Sequence, residues 1–184
     1  DQHVTYDYET WGDVNALRPE LCNEFRIVSI GLAWKEDGEI ESAAFLFDRP
    51  RPASTILEAA WIYFLENGEG TRTCHNSRYE HKCNIKRFGR TWPSRCTLLR
   101  MHAVDELASL GLERVMAYCG VQWGKFKQEF GDTRINPIDA PVEKLLEYNG
   151  LDAHGTYHCD DFLTDVLETE VIEEVASMDE DFSM

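Results

Sequence analysis

Nothing in these 184 residues approaches the ~20 consecutive apolar positions that a membrane-spanning helix needs, and no charged, apolar and small-residue leader stands at the start. Both absences predict a soluble chain with no membrane partner. The six cysteines (Cys22, Cys74, Cys83, Cys96, Cys119 and Cys159) contain no C-x-x-C pair and are read as reduced. Cys74, His75, His81 and Cys83 are near neighbours, but their spacing is not that of a zinc finger, so they are read as packed side chains. Basic residues are scarce: 18 Lys and Arg face 34 Asp and Glu, a net charge of −16 that at first argues against a nucleic-acid partner. The first residue is Asp rather than Met and apolar sequence follows almost at once, which reads as a piece of a longer polypeptide.

The distribution of charge changes that argument. From Asp165 to Met184 there are eight acids and no base, so the tail supplies half of the net charge. Residues 71 to 100 hold eight bases against the single acid Glu80, a local +7 able to meet an anion.

The length suits one domain with a real core. Val4 to Glu9, Phe25 to Trp34 and Ile40 to Phe47 read as three opening strands, the last two joined at Lys35-Glu36-Asp37-Gly38. Thr55 and Glu58 form a capping box for a helix through Leu65. Short strands near 71–74 and 95–97 then alternate with helices over 78–87 and from Leu98 to Tyr118; a long loop fills 120–141, and Pro141 starts a helix to about Leu167. The order βββαβαβα predicts an α/β fold with a mixed five-stranded sheet flanked by helices, a domain over 1–167, and an acidic tail or linker over 168–184.

In the first strand the side-chain period of two puts Thr5, Asp7 and Glu9 on one face and Val4, Tyr6 and Tyr8 on the other. Two acids side by side repel unless a cation lies between them, for which a divalent metal is the simplest choice. Taken alone, this D-x-E reads as an edge strand with a solvated acidic face. On the last helix Tyr148 and Asp152 share a face, and Gly155, Cys159 and Phe162 continue the stripe as a track expected to lie on the sheet. The segment Cys74 to Glu80 passes from strand to helix and carries Asn76 at the turn.

Together, Asp7-Tyr8-Glu9, Asn76 to Glu80 (N-x-x-Y-acid) and Tyr148 to Asp152 (Y-x-x-x-D) resemble the three exonuclease motifs of the DEDD superfamily. The resemblance spans about residues 3 to 167 and points to the 3′→5′ proofreading domains of bacteriophage and bacterial family A DNA polymerases. Leu98 to Ala103 and Gly111 to Val115 are similar to the connecting helices there. In the histidine branch a His stands five residues before the final Asp; here that residue is Glu147 while Tyr148 stands four before, which indicates the tyrosine branch.

The resemblance implies a ribonuclease-H-like fold and a metal-dependent 3′→5′ exodeoxyribonuclease that releases nucleoside monophosphates from single-stranded DNA 3′ ends. It implies two Mg²⁺ or Mn²⁺ ions about 4 Å apart, held by Asp7, Glu9, Glu80 and Asp152, with the Tyr148 hydroxyl orienting the attacking water. Thr10 and Asn76 match positions that contact the 3′-terminal nucleotide, and Tyr79 is expected to bind substrate with them. The expected setting is a monomeric domain beside a polymerase domain in the same parent chain, in the cytoplasm, that of the bacterial host if the source is viral. Glu80 departs from the usual Asp by one methylene. An exoribonuclease of the RNase D type shares these motifs, and a degenerate domain that binds strand ends without cutting is the alternative of another class.

Around the site, Arg78, Lys82 and Arg87 are expected to neutralise backbone phosphates of a single strand. Trp123, Lys125, Phe126 and Lys127 interleave rings and charges as a stacking platform does, although ordinary amphipathic packing also accounts for them. His154 and His158 are read as surface residues, His154 near the mouth of the site.

Overall fold

The computed structural model describes residues 3–14, 17–68, 70–121 and 136–170. The elements are β1 (Val4–Gly12), β2 (Phe25–Glu36), β3 (Glu39–Leu46), α1 (Thr55–Asn67), β4 (Arg72–Cys74), α2 (Ser77–Phe88), β5 (Arg95–Cys96), α3 (Thr97–Val104), α4 (Leu112–Tyr118) and α5 (Val142–Glu170). The strands make one mixed five-stranded sheet in the order β3-β2-β1-β4-β5, with β1 antiparallel to β2 and parallel to β4. No helix among the described residues is long and apolar enough to cross a membrane.

The expected sheet and element order are observed, but β1 is the central strand rather than an edge, and its acids Asp7 and Glu9 are half-buried. Tyr6 and Tyr8 pack with Trp61 of α1 in the main apolar cluster. The Tyr8 hydroxyl accepts from Trp61 Nε1 at 3.0 Å and donates to Asn84 Oδ1 of α2 at 2.8 Å, which satisfies the polar tips that the rings bury. The opposite face carries Thr5, Asp7 and Glu9 and lies under α5.

Small residues let α5 approach that face. Opposite Thr5, Asp7 and Glu9, β2 presents Ala33, Gly31 and Ser29, and β3 continues the rows with Ser42 opposite Ala33 and Ala44 opposite Gly31. A Cβ on Gly31 would stand 2.2 Å from the Asn149 carbonyl oxygen of α5, so only glycine permits this contact. Thr5 Oγ1 donates to the Ala153 carbonyl at 2.7 Å and pins the helix one turn further on. A register shift between Glu9 and Thr10 marks a bulge in the β1/β2 ladder at the end of the acidic pair.

Three local expectations change. Ser54, not Thr55, caps α1, its hydroxyl accepting the Leu57 amide at 3.2 Å, which places the helix start one residue earlier than the expected box. The helical stretch after Leu98 is two helices, because Asp105 takes an extended conformation at the end of α3. Gly155 and Cys159 face α3 and α4 rather than the sheet: Cys159 belongs to a cluster with Met101, Val115, Met116 and Leu163, and a Cβ on Gly155 would collide with the Met116 methyl. A helix packed between a sheet and other helices uses two stripes, and the spacing alone did not say which was which. α5 also runs to Glu170, beyond the boundary expected at 167. Trp123, Lys125, Phe126 and Lys127, and the tail from 171 onward, lie outside the described residues.

Gly31→Ala tests the close approach. An added methyl with no room typically costs about 1–3 kcal/mol, so the urea midpoint should fall at unchanged m-value; an unchanged midpoint would mean that α5 does not sit this close.

Candidate active site

The close approach of α5 brings three acids together. Ligand atoms of Asp7, Glu9 and Asp152 all lie within 4.8 Å of one another, and among the described residues no other group of three His, Cys, Asp or Glu side chains is so placed. Asp7 and Glu9 share their face by strand alternation, and Asp152 faces them from α5, 8% exposed.

Burial pushes the Asp7 carboxyl up to about 6, opposed by hydrogen bonds from Asn149 and the Tyr8 backbone. Glu9 is held well above the usual carboxylate range by burial and then by the negative charges of Asp7 and Asp152. Burial also raises the Tyr148 hydroxyl, followed by the charges of Asp152 and Glu9 and a hydrogen bond with Asp152. Tyr148 therefore stays a protonated phenol beside the acids, a hydrogen-bond donor rather than a base.

Glu80 is not one of the three. It is 3% exposed, and its Oε2 has no hydrogen-bond partner among the described residues. Its charge is felt by Tyr6, Tyr8, Cys74 and Cys83 on the α2 side of the sheet. Burial and then Asp7 raise its own carboxyl, so it is near the cluster without joining it.

Thr10 is 8% exposed, and its Oγ1 is hydrogen bonded to the Tyr79 hydroxyl, which joins the end of β1 to the first turn of α2. Asn76 occupies the cap position of α2 without a side-chain cap bond and is exposed, as is Arg78. The structure thus groups Asp7, Glu9, Tyr148 and Asp152 on the α5 side, with Thr10, Tyr79 and Glu80 on the α2 side of the same strand.

Asn149 was not legible in the sequence. It is fully buried; Nδ2 donates to Asp7 Oδ2 at 2.7 Å and to the Asp7 carbonyl at 3.3 Å, while Oδ1 accepts from Ser29 Oγ at 3.0 Å. An Asn between Tyr148 and Asp152 has no pattern to mark it; only the row Ser29, Gly31, Ala33 hinted that a helix would come close.

The basic segment is less available than its sequence charge suggests. Arg87 is held by Asp48 at 2.9 Å and Glu58 at 2.7 Å, Lys82 pairs with Glu20 at 3.0 Å, and Arg90 pairs with Glu66 at 2.5 Å. Arg95 and Arg100 turn to the buried Asp160, at 3.7 and 3.5 Å. Arg87 is therefore withdrawn from the expected phosphate contacts, Lys82 is engaged at the surface, and Arg78 forms no ion pair among the described residues.

The reading of Cys74, His75, His81 and Cys83 as packed side chains agrees with the contacts they make. His75 bonds Thr97 Oγ1 at 2.9 Å and the Leu110 carbonyl at 2.8 Å, with its pKa pushed down to about 4 by burial; His81 bonds Ser94 at 3.1 Å. His154 lies half-buried against His158, ring centroids 5.0 Å apart, and burial and then His158 lower its pKa, opposed by Glu41.

An all-oxygen donor set with the charge of three acids suits a hard divalent cation better than a soft one. Both charges acting on Glu9 are negative, a repulsion that such a cation would relieve.

No family model matches the sequence, and no curated protein is similar to it in sequence. Solved structures are similar in fold. NrnC of Brucella melitensis gives a TM-score of 0.72 at 18% identity, over 98% of this chain and 81% of that one. Brucella melitensis NrnC with bound Mg²⁺ gives 0.66 at 18% identity over the same shares. The apo form of a nuclease gives 0.68 at 20% identity, over 98% of this chain and 80% of that one. The chain therefore has the α/β, ribonuclease-H-like fold expected from its motifs.

The acidic cluster should trade stability against its own charge. A carboxyl raised to about 6 in the folded state contributes stability below the unfolded value near 3.8, and that contribution is lost as pH rises through 6. Asp7→Asn removes the penalty while its amide oxygen still accepts from Asn149. In chelator, the variant should melt above the wild type at pH 7.5 and level with it near pH 4; a variant less stable at pH 7.5 would refute the buried repulsion.

Proposed function

We propose that the chain is a divalent-metal-dependent 3′→5′ exonuclease that releases nucleoside monophosphates from single-stranded DNA 3′ ends. The observation that carries this is the meeting of Asp7, Glu9 and Asp152 within 4.8 Å, with the Tyr148 phenol hydrogen bonded to Asp152. Similarity in fold to Brucella melitensis NrnC with bound Mg²⁺ supports the choice of metal.

Asp7, Glu9 and Asp152 would hold Mg²⁺ or Mn²⁺, and Glu80, whose carboxyl feels Asp7, would complete the set for a second ion. When bound, such ions lower the pKa of a water toward neutrality and offset charge on a departing oxygen. Tyr148, protonated and next to Asp152, would orient the attacking water by hydrogen bonding. Thr10 and Tyr79, linked at the end of β1, would face the terminal nucleotide. Asn76 and Arg78, exposed at the start of α2, would meet the phosphate that follows, and Lys82 would do so once released from Glu20. Proofreading beside a polymerase domain of the same polypeptide is the setting we propose.

Glu80 supports a second reading, a domain that binds strand ends but cuts poorly, because its carboxylate stands outside the cluster.

Matched 5′-labelled DNA and RNA oligonucleotides decide among these readings. The DNA should shorten from its 3′ end in Mg²⁺ or Mn²⁺ and stay intact in chelator. Asp152→Asn should slow cleavage by about 10²-fold or more, the scale lost with one preorganised charge-stabilising group. Preferential loss of the RNA would reassign the substrate. An inert domain that Glu80→Asp makes active would establish the binding-only reading for the natural chain.

A further inference from the structure

We propose that Asn149 is a positioning residue that holds the Asp7 carboxylate in one orientation and thereby biases the centre toward Mg²⁺ over Ca²⁺. This rests on the metal-dependent reading above.

Asn149 is fully buried, and its amide is used on both sides: Nδ2 donates to Asp7 Oδ2 at 2.7 Å, and Oδ1 accepts from Ser29 Oγ at 3.0 Å. Nδ2 also reaches the Asp7 carbonyl at 3.3 Å, so side chain and backbone of Asp7 are gripped by one group. The Asp7 carboxylate and carbonyl accept only and so turn the amide nitrogen toward Asp7, while the Ser29 hydroxyl donates to the amide oxygen and anchors it. The Tyr8 amide donates to the same carboxylate. The grip depends on Gly31, which stands opposite Asp7 on β2 and admits the Asn149 backbone.

A carboxylate fixed in this way cannot swing freely to chelate through both oxygens, since that would disrupt a 2.7 Å hydrogen bond in a buried site. Mg²⁺ demands near-ideal octahedral geometry and is satisfied by single oxygens, whereas Ca²⁺ takes more ligands and accepts bidentate carboxylates. Partners that orient a metal ligand commonly change metal affinity by 10–100-fold when removed. Asn149 lies three residues before Asp152 on the same helix, so its grip also sets where Asp152 stands relative to Asp7.

The test is calorimetric titration of Mg²⁺ and of Ca²⁺ into wild type, Asn149→Ala and Ser29→Ala, with thermal unfolding in chelator to verify the fold. Asn149→Ala should weaken Mg²⁺ by about 10-fold or more and Ca²⁺ by less, so that the ratio of the two affinities moves toward Ca²⁺. Ser29→Ala leaves the amide in place but unanchored, and should shift the ratio in the same direction by a smaller factor; it decides the matter if Asn149→Ala fails to fold. An unchanged ratio, or an equal loss for both ions, overturns the assignment and leaves the metal centre standing. A wild-type chain that binds neither ion overturns both.

Discussion

Three carboxylates within 4.8 Å of one another set the constraint on which the rest of the structure turns. Their repulsion favours separation, so other contacts must hold α5 against β1. Thr5 grips the Ala153 carbonyl, Asn149 bridges Ser29 and Asp7, and Gly31 gives up its side chain so that backbone can meet backbone. None of these is a large apolar contact. They are short, directional bonds made possible by a floor of small residues, and they place side chains more narrowly than hydrophobic burial does.

The other face of the same strand carries the main apolar cluster, while smaller clusters join α5 to the sheet on this one. Tyr6, Tyr8 and Trp61 pack edge to face, and the Tyr8 hydroxyl is satisfied by Trp61 and Asn84. β1 thus works as a divider, with an aromatic layer that secures it and an acidic layer that strains it. Glu80 lies on the aromatic side, where burial and then the Asp7 charge raise its carboxyl. Its extra methylene is consistent with this position, since a longer side chain can reside in the core and still be near Asp7.

Electrostatics divide between local pairing and long-range charge. The segment 71–100 reads as a phosphate-binding stripe, but most of its cations pair with acids distant in sequence, Asp48, Glu58, Glu66, Glu20 and Asp160, and Arg72 bonds the nearby Phe64 and Gly68 carbonyls. The exposed Arg78 at the start of α2 remains the cation best placed to meet an anion at this edge.

The alternation of Val4 to Glu9 and the hairpin at Lys35 to Gly38 were enough to predict the opening strands, because period and turn chemistry are local properties. The spacing of Tyr148 and Asp152 likewise put both on one turn of a helix. Three motifs at long separation announced that Asp7, Glu9 and Asp152 belong together. What remained hidden depends on partners across the fold. The central place of β1, the buried amide of Asn149, the withdrawal of Arg87 into a clamp and the position of Glu80 outside the acidic group are decided by which elements touch. The sequence by itself determined the residue types and their faces, since backbone geometry fixes those. Only the tertiary structure decided which charges are paired and which carboxylates meet, because the distances that govern hydrogen bonds and Coulomb energies exist only after α5 closes on the sheet.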